Sequence, residues 1–288
     1  MTGHAASRPI GVFDSGVGGL TVLRSLIDRL PAEDFVYLGD TARLPYGTKS
    51  ADTVARYSVQ AAEALMEYGI KALVVACNTA SSVGLPAIAG HVDRLPVIGV
   101  IEPGARAACA ASRSGNIVVI ATEGTVRGGA YERAIRQIRP DARVRAEPAP
   151  LFVALAEEGL NEGPIAEQIA RHYLGPLFGR VPSSASGAAA SGGVDSAADT
   201  LVLGCTHFPM LAKAIHSVVG DSVRVVDSAE TTAASVETLL GHAGLLHGGT
   251  GRGIVRLLAT DGADRFARVG SRFLERAIAL EEVELIDL

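Results

Sequence analysis

Short apolar runs alternate with amphipathic stretches through most of this chain, and that alternation restricts its fold more than any other feature. Residues 10–13, 35–38, 73–76, 116–121 and 200–204 read as buried strands, with a further strand near Val144. Helical patterns lie between them. Leu20, Leu23, Leu26, Ile27 and Leu30 recur at helical spacing, and Ser50 or Asp52 caps a helix running to about Tyr68. Residues 104–112, 128–138 and 165–178 continue the series. Strands joined by crossover helices build parallel sheets covered on both faces, so an α/β fold is predicted.

Two of the runs end alike. Ala72-Leu-Val-Val-Ala-Cys77-Asn-Thr and Thr200-Leu-Val-Leu-Gly-Cys205-Thr-His each deliver a thiol to a turn of small polar residues. The resemblance between them extends upstream. Asp14 stands 63 residues before Cys77, and Thr122 stands 83 before Cys205. The Ser/Gly/Ala-rich stretch at 181–198 reads as a flexible loop, and setting it aside nearly equalises the spacings. The simplest account is two similar lobes, each a mostly parallel sheet flanked by helices, with the site in the cleft at the strands' carboxyl ends. Two thiols facing one another there suit proton chemistry on two sides of one carbon.

A length of 288 residues suits two lobes, and the formal charge of −5 gives no basic field, so direct nucleic-acid binding is not expected. No apolar run approaches the roughly 20 residues that span a bilayer. Residues 1–9 lack the apolar core of a signal peptide. Three cysteines do not make a disulfide framework, so a cytoplasmic location with free thiols is expected. Cys109, in an Ala-rich helical stretch, reads as a packing residue.

The seven histidines show no paired spacing, and no metal site is expected. Gly16-Val-Gly-Gly19 lacks the third glycine of a dinucleotide fingerprint, since Thr21 stands there. It fits better as a nest of backbone N–H groups for a carboxylate, with no cofactor. Leu44-Pro-Tyr-Gly47 reads either as a ligand-clasping loop with an exposed tyrosine or as a plain turn. A lobed amino-acid-binding protein would share the cleft but has no use for twin cysteines.

Phe13-Asp-Ser-Gly-Val-Gly-Gly-Leu-Thr21, Tyr37-Leu-Gly-Asp-Thr-Ala-Arg-Leu-Pro-Tyr-Gly47, Cys77-Asn-Thr-Ala-Ser81 and Gly204-Cys-Thr-His-Phe-Pro209 together resemble the glutamate racemases. Pro150-Leu-Phe-Val153, leading to Glu157, looks like another block of that family. The resemblance implies cofactor-independent interconversion of L- and D-glutamate, feeding peptidoglycan synthesis. It implies a homodimer, and for some members an association with DNA gyrase. It also implies that the C-terminal segment returns to the first lobe, giving lobes at 1–102 with 221–288 and at 103–220. By motif position, Cys77 and Cys205 carry over as the acid/base pair, with Asp14, His207, Asp40 and Glu157 assisting. Ser15, Pro45, Tyr46, Gly47, Asn78, Thr79, Thr122, Thr125 and Thr206, with Asp14 and His207, carry over as substrate contacts.

Ala149 and Ala154 depart from the family's cysteine and proline, and Phe208 from its common tyrosine. Aspartate racemases share the paired cysteines but usually carry an acidic residue where this chain has His207.

Racemisation needs one thiolate as base and one thiol as acid. A neighbouring imidazolium favours the thiolate and a neighbouring carboxylate the thiol. His207 is therefore expected to serve Cys205, and Asp14 to serve Cys77.

Overall fold

The computed structural model describes residues 3–92, 95–178 and 198–288. All but the last residue of the expected loop at 181–198 lies outside the described residues. Among the described residues, ten strands form two parallel sheets. The first takes β1 (Ile10–Asp14), β2 (Phe35–Gly39), β3 (Ala72–Val75), β4 (Val97–Gly99), β9 (Val255–Ala259) and β10 (Val283–Leu285) in the order β10-β9-β2-β1-β3-β4. The second takes β5 (Asn116–Ala121), β6 (Arg143–Pro148), β7 (Thr200–Gly204) and β8 (Arg224–Asp227) in the order β6-β5-β7-β8.

The repeat seen in the sequence is a repeat of topology. Order β2-β1-β3-β4 in one sheet matches β6-β5-β7-β8 in the other, so β3 and β7, the two thiol-bearing strands, occupy equivalent positions. Every residue of β1, β2, β3 and β7 is buried, as parallel strands covered by helices on both faces must be. The edge strands β6 and β8 carry Arg143, Arg145, Glu147 and Arg224, charged residues that suit half-exposed edges.

Strands β9 and β10 return to the first sheet, β9 pairing with β2 from Phe35↔Val255 to Gly39↔Ala259. Strand β8 pairs with β7, so the second sheet extends past the division expected at residue 220. We propose that the return to the first lobe runs through the helix Ser228–Ala243, which leaves β8 and packs on the helix Leu20–Arg29. Ser50, rather than Asp52, caps the helix Ala51–Glu67 by accepting the Thr53 N–H at 3.3 Å. The helix expected at 128–138 is divided at Gly129, whose φ of 61° lies in the left-handed region.

Asp199 fixes the start of β7. Its carboxylate accepts from Ser112 Oγ at 2.6 Å, the Arg113 and Ser114 N–H groups at 2.8 and 2.7 Å, and Thr200 Oγ at 3.0 Å. Although its partial burial acts the other way, these donors hold the carboxyl's pKa down at about 2. Replacing it, Asp199→Ala, is expected to cost about 2 kcal/mol in urea unfolding at pH 7. Because the folded pKa lies below the unfolded value of about 3.9, the stabilisation is present above pH ~4. It disappears as pH falls through about 2. Wild type and variant should therefore differ less in acid, and an undiminished gap there would contradict this account.

Candidate active site

Both thiols sit at the carboxyl ends of their strands and line one cavity between the lobes. Cys77 caps the short helix Asn78–Val83, its sulfur accepting the Ala80 N–H at 3.5 Å while its S–H donates to Ser15 Oγ at 3.5 Å. Cys205 follows β7 directly, and its Sγ is 3.8 Å from His207 Nδ1. The other ring nitrogen, His207 Nε2, meets Glu157 Oε1 at 3.1 Å. Burial alone would lower the imidazole's pKa. The hydrogen bonds to Cys205 and Glu157, with their negative charges, outweigh it and hold the ring's pKa at about 10. Near neutrality His207 is therefore a cation beside the Cys205 sulfur.

The opposite wall has the opposite character. Burial pushes the Cys77 thiol up to about 12, the nearby Asp14 carboxylate adding to the effect. Asp14 is itself raised by burial, against the pull of His207 and of N–H groups that include Gly16, whose bond is 2.9 Å. One thiol is thus held as S–H and the other faces a cation. The groups beside the two sulfurs carry opposite charge, the kind of asymmetry that acid and base assignments use.

Ser15, Pro45, Tyr46, Gly47, Asn78, Thr79, Thr122, Thr206, His207 and Glu157 also line the cavity. Three expected residues stand behind it. Asp14 is buried, with Oδ1 lacking a partner. Thr125 is buried in a hydroxyl cluster, its Oγ 3.2 Å from Thr79 and 3.0 Å from Thr122. Asp40 is fully buried and bonds Tyr46 Oη at 2.5 Å, Arg43 Nε at 2.7 Å and Thr260 Oγ at 2.9 Å. It therefore seats the 44–47 loop instead of reaching a thiol.

That loop corrects one expectation. Tyr46 is not exposed but 1 % accessible, because Asp40 holds its hydroxyl inward and its ring packs beside Phe13 and Tyr57. Sequence reasoning also missed Leu44 and Val153 in the lining, and Tyr131, which donates to Asn78 Oδ1 at 2.8 Å. That bond leaves Asn78 Nδ2 buried and unpartnered, a donor available to a carboxylate. Among the described residues, no cluster of three His, Cys, Asp or Glu side chains could hold a metal.

The cavity encloses about 50 Å³, room for one or two waters at ~30 Å³ each. An amino acid with a side-chain carboxylate fills more than this, so binding it widens the cavity. Gly18 shows how tightly the lobes meet: a Cβ there would overlap Thr206 Oγ and the His207 ring. The variant Gly18→Ala is expected to displace the imidazole and lower kcat/KM about 10²-fold or more, while the overpacking costs about 1–3 kcal/mol of stability. Wild-type turnover in that variant would show that the ring's position does not matter.

Two matching parallel-sheet lobes, each bringing one thiol to a shared cavity, define a class of protein that moves protons with paired cysteines. Residues 10–236 match the family described as Asp/Glu/Hydantoin racemase. The chain is 48 % identical over 267 residues to a glutamate racemase of Geobacter metallireducens, covering 93 % of each sequence. Among solved structures it is similar to the glutamate racemase of Francisella tularensis in complex with D-glutamate, with TM-score 0.86, 33 % identity and 98 % of each chain covered. It is likewise similar to that of Thermus thermophilus in complex with β-chloro-D-alanine, with TM-score 0.82, 42 % identity and 98 % of each chain covered. The chain belongs to the Asp/Glu/hydantoin racemase family and, within it, to the glutamate racemases.

Proposed function

We propose that this protein interconverts L- and D-glutamate without a cofactor, with Cys77 and Cys205 as the two acid/base groups. The observation that carries the reading is the pair of buried thiols in one cavity, one beside a carboxylate and one beside an imidazolium. In one direction the Cys205 thiolate takes the α-proton, forming S–H and leaving a carbanion. Cys77 then gives its proton to the opposite face, becoming a thiolate. The reverse direction exchanges these roles.

The unpartnered Asn78 Nδ2–H, with the hydroxyls of Ser15, Thr79, Thr122 and Thr206, supplies donors for the carboxylates. Asp14, behind the lining, acts on the site through its charge beside Cys77. Closure excludes water from the carbanion.

D-Glutamate so formed would supply peptidoglycan synthesis. The three cysteines are free in the structure, which agrees with a cytoplasmic setting, and no described helix is long and apolar enough to cross a membrane. Assembly as a homodimer is proposed from the family, with sedimentation as its check.

The deciding experiment incubates the protein with D-glutamate in deuterated water, adding neither pyridoxal phosphate nor metal. Circular dichroism should fall to zero as the product becomes α-deuterated, whereas L-aspartate in a parallel arm keeps its rotation. A requirement for pyridoxal phosphate, or racemisation of aspartate alone, would overturn the assignment.

A further inference from the structure

Glu157 belongs to the second lobe, on the helix Leu151–Glu158 that follows β6. Its carboxylate is shared between the lobes. One oxygen meets His207 Nε2 at 3.1 Å, and the other accepts from Arg265 at 2.8 Å. Arg265 lies on the helix Ala263–Leu274, between β9 and β10 and therefore in the first lobe.

Arg272 is two turns further along the same helix and shares its face. It donates to the Glu157 carbonyl at 3.2 Å, at the helix end where positive charge is favoured. Gly159, with φ 76°, makes room for it: a Cβ there would come within 2.5 Å of the Arg272 guanidinium. Phe273 of this helix also stands edge-on to the His207 ring, centroids 5.1 Å apart.

The helix Ala263–Leu274 thus grips the second lobe at the group that orients His207. These contacts cross between the lobes beside the cavity. A second cavity of about 170 Å³ adjoins the first, sharing Leu44 and Glu157 and lined by Arg265 and Asp261. The ion pair therefore stands at the boundary between the site and the space outside it.

We propose that Arg265 is a positioning residue for racemisation: on lobe closure it clamps Glu157, and through Glu157 it fixes His207 against Cys205. This rests on the racemase reading above. Opening frees the carboxylate and slackens the imidazole, so the base is set in place only when substrate is enclosed.

The groups facing Glu157 are His207 and, from the helix Ala263–Leu274, Arg265 and Arg272; Asp261 lines the adjoining cavity, and Cys205 and Asp14 act on it through His207. Its carboxyl is held below the usual carboxylate range first by the His207 hydrogen bond and in part by Arg265. Loss of Arg265 should therefore move the acidic limb of the rate profile to higher pH.

The test measures kcat/KM for glutamate from pH 3 to 10 in wild type, Arg265→Ala, Arg265→Lys and Arg272→Ala, with melting temperatures alongside. Arg265→Ala should lower kcat/KM about tenfold and raise the acidic limb by about half a pH unit, at an unchanged melting temperature. Arg265→Lys should recover most of the rate and return the limb. Arg272→Ala should leave the limb in place, since it touches only the carbonyl. Normal turnover in Arg265→Ala, an unmoved limb, no rescue by lysine, or an equal shift in Arg272→Ala would overturn the proposal. An inactive wild-type protein would overturn this proposal together with the reading it rests on.

Discussion

Replacing either Cys77 or Cys205 with alanine is expected to lower kcat/KM for racemisation about 10³-fold or more. The loss must be equal in both directions, because enantiomers have equal free energy and their kcat/KM values are tied to an equilibrium constant of one. What distinguishes the two variants is partial chemistry. Each keeps one sulfur on one face of the cavity, so each can still remove the α-proton from one hand of a β-substituted analogue, expelling the leaving group without any return proton. The two should select opposite hands. If both variants eliminate from the same enantiomer, or either retains full racemase activity, the sulfurs do not face opposite sides of one carbon. Both thiols are almost fully buried yet line a cavity, so alanine should leave the fold intact, with melting temperature as the control.

A stability effect of comparable size is expected far from the chemistry. Lys71 and Glu33 form an ion pair with both side chains almost wholly buried. Lys71 Nζ also donates to the Ala6 carbonyl at 2.5 Å, and Glu33 Oε1 accepts the His247 N–H at 2.8 Å. The pair thus ties the start of β3 to the chain before β1 and to the segment before β9. Lys71→Met leaves a carboxylate buried without its cation, which should cost about 3–5 kcal/mol. Adding Glu33→Leu removes that stranded charge and should recover most of the loss, the orphaned His247 N–H keeping a remainder. Urea unfolding of the two variants checks both parts. A single variant within 1 kcal/mol of wild type would mean that water reaches the pair.

The sequence exposed the elements whose residues suffice to make them. Strands β1, β2, β3, β5 and β7 are mostly apolar because both their faces are covered, and such runs stand out against helical spacing. Strands β4, β8, β9 and β10 carry three to five residues each, are only partly buried, and offer little local pattern. Whether they pair depends on neighbours far along the chain: β9 joins β2 across more than 200 residues. The matched settings of Cys77 and Cys205 were legible because a thiol after an apolar strand needs only local context to be noticed.

Other parts of the site had no local signature. Asp40 was expected near a thiol and instead bonds Tyr46, Arg43 and Thr260, the last 220 residues away. Tyr46 followed it inward, since a phenol bonded to a buried carboxylate has no reason to face water. Arg265 lies 108 residues from Glu157 on a helix that otherwise reads as an amphipathic surface element.

By itself, then, the chain's residue order determined a repeated α/β plan and a thiol at the same strand end in each copy, because strand burial and turn chemistry act over a few neighbouring residues. Tertiary structure alone decided that Asp40 supports a loop, that Tyr46 turns inward, and that Glu157 is held from the other lobe. Charge, hydrogen bonding and exclusion of water act between groups brought together in space, and their separation along the chain carries no trace of that meeting.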